Sequence, residues 1–188
     1  MRSAPFILTI LCAALPLFSR GQSVTNPPPT EIQNFEMQPD AVIVKGYGQI
    51  GTISTDIGTI SVRCKESDNA TTSQRQYGIA IAIQANQSRM LLDVDYDELD
   101  SLIHGLNFLS KITYDVTSMP AFDATITTRS GFRAGAHSER RQGAIQFFVQ
   151  FGDTVRIPLT PDQFSQFQTY VTQAKTSLDS SMNKNQGN

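Results

Sequence analysis

Arg129, Arg133 and His137 fall four residues apart, and Arg140 and Arg141 follow closely. On extended chain, residues an even number apart share one face, so the three lie opposite Phe132 and Ala134. If the next strand folds back through the polar turn Ser138 to Gly143, Gln146, Phe148 and Gln150 join that face. An aromatic ring among guanidinium and amide groups is a platform for an anionic or planar ligand. Arg129, Arg133, His137, Arg141, Gln146, Phe148 and Gln150 are therefore the candidate ligand-binding set, with Phe148 expected, partly exposed, at the floor of a shallow groove. The competing explanation is a solvated sheet face carrying one incidental aromatic.

No catalytic, cofactor or metal set competes with this one. His104 lies off the apolar stripe of its segment and is expected in solvent, and His137 lacks the second ligand a metal would need. An enzyme assembled from His137, Glu139 and Arg133 ranks last among the functional readings, because such a trio near a turn is a common coincidence. Gly46-Tyr47-Gly48-Gln49-Ile50-Gly51 has the spacing of a dinucleotide loop but sits in a strand pattern instead of opening a helix. Asp93, Asp95, Asp97, Glu98 and Asp100 form a dense acidic run without the turn glycine and distal Glu of a calcium loop. The run is expected to serve a helix N-terminus, where the dipole favours carboxylates. Cys64 shares a face with Ile60 and Val62 and reads as a buried, inert thiol. Asn69 and Asn86 have the spacing of glycosylation acceptors.

Two helices must position these groups. Asp95 and Glu98 have capping-box spacing, and Leu99, Leu102, Ile103, Leu106 and Leu109 then recur three and four apart. Thr160-Pro161-Asp162-Gln163 repeats the box, followed by Phe164, Phe167, Val171, Ala174 and Leu178. The two stripes align without a gap, Leu99 on Phe164 and Leu106 on Val171. Each follows apolar runs that alternate with polar residues, such as Ile60, Val62, Cys64 and Ile145, Phe147, Val149, Phe151. The small face Gly78, Ala80 and Ala82 invites close approach by another element. The order is four strands, helix, four strands, helix: an α+β domain made of one duplicated unit of antiparallel strands followed by a helix. Residues 40–178 form the domain, as pseudo-repeats 40–112 and 118–178, with a proline-rich linker at 22–39 and a fraying tail at 179–188.

Composition narrows the function. Met1-Arg2, an apolar run from Phe6 to Phe18, and Ser19 and Gly21 spell a signal peptide over residues 1–21, cut before Gln22. The run is too short to span a bilayer, so no membrane span is expected and the chain should be exported, periplasmic or secreted. Without it the chain carries 13 basic and 17 acidic residues, a formal charge of −4, and loses Cys12, leaving Cys64 without a disulfide partner. That acidity argues against general binding of nucleic acid. Phe108 lies nearly opposite the Leu99–Leu106 stripe and marks a surface for homo-oligomer formation or a contact with the loop at Met119.

The run Tyr96 to Leu106 resembles the Tyr-Asp-Glu-Leu-x-x-Leu-Ile-x-Gly-Leu helix of uncharacterised secreted bacterial proteins, and the likeness extends from Val42 to Leu178. That family brings no activity with it. The element order also resembles the PC4 and Whirly group of single-strand nucleic-acid-binding domains, although Lys45-Gly46 is followed by Tyr47-Gly48 where Whirly proteins carry lysines. The resulting expectation is a non-catalytic exported module that binds an unknown ligand or partner, with single-strand nucleic-acid binding as the alternative.

Overall fold

The computed structural model describes residues 28–85, 88–139, 143–152 and 155–186. Strands β1 (Ile43–Thr55), β2 (Gly58–Asn69), β3 (Gln74–Ala85) and β4 (Ser88–Asp95) form one antiparallel sheet in that order. Strands β5 (Ala121–Thr127), β6 (Phe132–Glu139), β7 (Gln146–Phe151) and β8 (Val155–Leu159) form a second in the same way. Helix α2 (Leu99–Leu109) follows the first sheet and α3 (Pro161–Gln186) the second, so the duplicated α+β order is present. Alternation decides the faces. Ile60, Val62, Ile79, Ile81, Ile83 and Val94 of the first sheet, and Phe132, Ala134, Phe147, Val149 and Ile157 of the second, point into one continuous core. β2 runs on to Asn69, because Ser67 and Asn69 find hydrogen-bond partners in the segment that precedes β1.

Both helical stripes enter this core, with Leu99, Leu102, Leu106, Phe164, Phe167 and Val171 all buried. The second capping box is made: the Thr160 hydroxyl accepts from the Gln163 amide (3.2 Å), and Gln163 Oε1 accepts from the Thr160 amide (2.9 Å). The helices lie antiparallel, as the pairs Asn107 with Gln168, Asp100 with Lys175 and Tyr96 with Asp179 record. The first turns of α3 rest on its own sheet, where Phe164 stacks on Phe147 at 4.7 Å and Phe167 meets Phe132 at 5.7 Å. Its later turns cross the first sheet, while α2 lies on β5 and β6. Helix therefore continues through residues 179–186, where a fraying tail was expected, because Tyr96 donates to Asp179 and docks that turn on the first unit.

The linker expectation for residues 22–39 is also overturned where the structure describes them. Helix α1 (Glu31–Glu36) starts in a capping box, Thr30 and Gln33 bonding each other's amides. It packs on β3 and β4, on the side where Gly78, Ala80 and Ala82 leave room, and buries Ile32 and Phe35 outside the main core. Its last turn is pinned by charge. Glu36 receives Lys65 (2.7 Å), Ser67 (2.6 Å) and Lys45 (2.5 Å), and Lys65 also reaches Asp93 (2.9 Å). Burial alone would raise the Glu36 pKa; the hydrogen bonds from Lys45, Lys65 and Ser67 outweigh it and hold the carboxyl below its ordinary value. Burial depresses Lys65, and its bonds to Glu36 and Asp93 more than restore it, leaving it raised.

Two glycines set how closely the helices lie. A Cβ on Gly51 would enter the ring of Tyr170 from α3, and one on Gly105 of α2 would enter Ile126 of β5. Gly51→Ala should lower stability by about 1–3 kcal/mol in urea unfolding, and the loss should shrink in a Tyr170→Ala background, which removes the ring. The lowered Glu36 pKa gives the second prediction. A depressed carboxyl contributes above its ordinary value of 4.5 and loses that contribution as pH falls through the folded value. Amide exchange at Ile32 to Phe35, corrected for intrinsic rate, should therefore speed up selectively below pH 4.5.

Candidate functional site

The outward face of the second sheet is set by register. Arg133 lies opposite Gln150, Gly135 opposite Phe148 and His137 opposite Gln146. On the far side of β7, Gln150 faces Arg156 and Phe148 faces Pro158. Alternation thus brings Arg133, His137, Gln146, Phe148 and Gln150 together on one face, and adds Arg156, which sequence reasoning missed. The signal was present: Arg156 alternates with Val155 and Ile157, and the Gly152 turn pairs it with Gln150, diagonal to Phe148.

Phe148 is not the open floor of a groove; it is 1% exposed. Two neighbours close it off. Gly135 has no side chain, so the ring lies over the β6 backbone, where a Cβ would also come within 2.8 Å of the Ala124 carbonyl. An aromatic covering a cross-strand glycine in this way restores the contacts that the glycine lacks. The Arg156 guanidinium then lies over the ring, 3.5 Å from its centre. Its Nη2 is 2.7 Å from His137 Nδ1. A guanidinium only donates, so Nδ1 accepts and the imidazole proton sits on Nε2. Packing accounts for Phe148, and the group presented to solvent is the exposed Arg156, held by a ring beneath and an imidazole beside it.

Two members of the expected set remain. Arg141 lies outside the described residues. Arg129 is in the β5–β6 turn, not on a strand, and turns to the first unit. Its guanidinium meets Asp95 (3.1 Å), Glu31 (3.2 Å), Glu98 (3.8 Å) and Asp97, and its amide donates to Glu98 Oε1 (2.8 Å). The acidic run is structural, as expected, but the partner differs. Asp95 and Glu98 make no capping box, because Glu98 bonds the Arg129 amide and Asp95 accepts from the amides of Glu31 (2.8 Å) and Ile32 (3.0 Å) at the start of α1. Asp93 holds Lys65, and Asp100 lies 3.5 Å from Lys175.

The remaining candidates fall as follows. His104 is exposed. Cys64 is half-buried with Sγ 3.4 Å from the Ala174 carbonyl, and burial pushes its thiol pKa up, so it is a poor nucleophile. Gly46 to Gly51 lies inside β1 and opens no helix. Asn69 is 3% exposed and its Nδ2, the atom a glycan would take, donates to Gln38 (2.9 Å), which puts it out of reach; Asn86 lies outside the described residues. Among the described residues no group of three His, Cys, Asp or Glu side chains could hold a metal ion, and no helix is long and apolar enough to cross a membrane. No protein family, curated protein or solved structure matches the chain.

The clasp around Arg129 can be tested by coupling. Arg129→Leu leaves the buried Asp95 carboxylate without its cation and should cost about 2–4 kcal/mol in chemical unfolding. Asp95→Asn removes the charge that needs pairing, so the double variant should be less destabilised than the sum of the singles.

Proposed function

We propose that the protein is an exported, non-catalytic binding module that takes an acidic ligand, carrying carboxylate or sulfate groups, on the outward face of its second sheet. The observation that carries this reading is Arg156. Its guanidinium rests over the Phe148 ring and is braced by His137, and among the residues whose side chains are described no carboxylate lies within ion-pair distance of it. A planar cation held in place before binding loses little freedom when a carboxylate or sulfate docks in two-point fashion. The signal-peptide pattern supports export, and among the described residues this face brings no nucleophile beside a base, which supports a non-catalytic role.

Single-strand nucleic-acid binding is the weaker reading. That chemistry stacks bases on exposed rings, and the ring on this face is covered. An enzyme centred on His137 is weaker again, since Nδ1 is already engaged by Arg156.

Thermal unfolding with heparin, polyglutamate, a single-stranded oligonucleotide and neutral dextran tests the proposal. At a hundredfold excess over Kd, a bound anion should raise the melting temperature by about 5–10 °C. Heparin or polyglutamate should do so in a salt-sensitive manner, and Arg156→Gln should abolish the shift. No shift with either acidic polymer, or a shift unchanged by Arg156→Gln, would overturn it; a response to the oligonucleotide alone would favour the nucleic-acid reading.

A further inference from the structure

We propose that two copies of the chain associate by antiparallel pairing of their β5 strands about a two-fold axis at Ala124, with Phe108 of each copy covering the seam. This is independent of the acidic-ligand face, and it begins with the four sheet edges. β1 is blunted by Lys45, by Gly46 and Gly48, and by an irregularity between Gln49 and Gly51. β4 directs the charged Asp93 and Asp95 away from the core and has α1 against it. β8 is five residues long, contains Pro158 and touches β1. These are the devices that keep a strand edge from pairing with another chain. β5, Ala-Phe-Asp-Ala-Thr-Ile-Thr over Ala121–Thr127, carries a single charge, Asp123, and otherwise lacks these devices: no basic residue, no proline, no glycine and no register shift against β6.

The free groups on that edge are in phase for self-pairing. The Thr128 amide donates to the Phe132 carbonyl (2.9 Å), so by strand alternation residues 122, 124 and 126 direct their amides and carbonyls to β6. Ala121, Asp123, Thr125 and Thr127 then offer theirs outward. Antiparallel pairing about Ala124 sets Asp123 against Thr125 of the second copy, Ala121 against Thr127, and Phe122 against Ile126. Every outward amide finds a carbonyl, Phe122 meets Ile126 and Ala124 meets its own copy on the apolar side, and the one charged residue of the strand faces a hydroxyl. A two-fold at Asp123 would instead oppose two carboxylates.

The surface beside the strand fits the same occupant. Phe108 on α2 is 56% exposed and stands between two hollows. One, of ≈ 370 Å³, is lined by Gly105, Leu109, Ala124 and Ile126; the other, of ≈ 350 Å³, by Ile112 and Val116. Phe122, Ala124 and Ile126 are only half-buried on the side that α2 covers. A strand added to β5 would carry the sheet outward beneath Phe108, and the copy's own Phe122, Ala124 and Ile126 would complete an apolar layer that each copy leaves unfinished. The match is reciprocal, as an isologous interface requires.

Sedimentation velocity and light scattering on the purified chain give the test. The wild type should have twice the chain mass at concentrations where Thr125→Pro and Phe108→Glu are monomeric. Proline at 125 removes an amide that points to the free edge, so the β5–β6 ladder survives, and unchanged circular dichroism would verify this. Register is tested separately in a Cys12→Ser, Cys64→Ser background. Cross-strand neighbours that do not exchange hydrogen bonds have Cα atoms about 4.5 Å apart, within disulfide range. Ala124→Cys should therefore form a covalent dimer on mild oxidation, whatever the two interface variants do to folding. A monomeric wild type, a dimer that survives Thr125→Pro, or no cross-link through Ala124→Cys would overturn the proposal.

Discussion

The carboxylate of Asp95 is almost wholly removed from water, and a charge in that position must be paired. Its partners come from stretches far apart in the chain. The amides of Glu31 and Ile32 bind it from α1, and the Arg129 guanidinium binds it from the β5–β6 turn. One side chain at the end of β4 thereby fixes where α1 begins and where the second unit's hairpin lies on the first. Glu31, Asp97 and Glu98 surround the same guanidinium. At the other end of α1, Glu36 repeats the device with Lys65 and Lys45. A helix of six residues has no stability of its own, so these two ionic anchors and the burial of Ile32 and Phe35 are what hold it.

The same interdependence joins the two sheets. α2 leaves the first sheet and packs on β5 and β6, while α3 leaves the second and crosses the first over Gly51. Neither unit covers its own sheet alone, which is why the core is continuous and not two cores. Each crossing depends on a missing side chain. Gly51 admits the Tyr170 ring and Gly105 admits Ile126, so the helix axes come closer to the strands than a Cβ would allow. The hydrogen bond from Tyr96 to Asp179 and the ion pair of Lys175 with Asp100 then align the helices along their length.

These constraints separate the two surfaces on which the proposals rest. On the outward face of the second sheet the aromatic is sealed, so what solvent meets is a cation on a rigid base. On the α2 side an aromatic stands open beside the edge strand β5. The face proposed for an acidic ligand and the edge proposed for self-pairing thus lie on different sides of the second sheet.

Local period was enough to write down the eight strands, the helices α2 and α3, the buried stripes from Leu99 to Leu106 and from Phe164 to Val171, and the capping box at Thr160, because each is dictated by residues within a few positions of one another. It also placed Arg133, His137, Gln146, Phe148 and Gln150 on one face, since alternation and a turn suffice for that. The capping box at Thr30 was equally legible and was hidden only by the prolines before it. Whether Phe148 was open or sealed was not legible, because Arg156 reaches it from a strand whose diagonal offset depends on the pairing. The fate of Arg129 was beyond reach altogether: its carboxylate partner is 34 positions away, and that carboxylate binds an amide 63 positions earlier still. Periodicity reports which way a side chain points from its own strand or helix; which distant charge it meets is settled only when the core brings the elements together, because a buried charge takes whichever counter-charge the packing delivers.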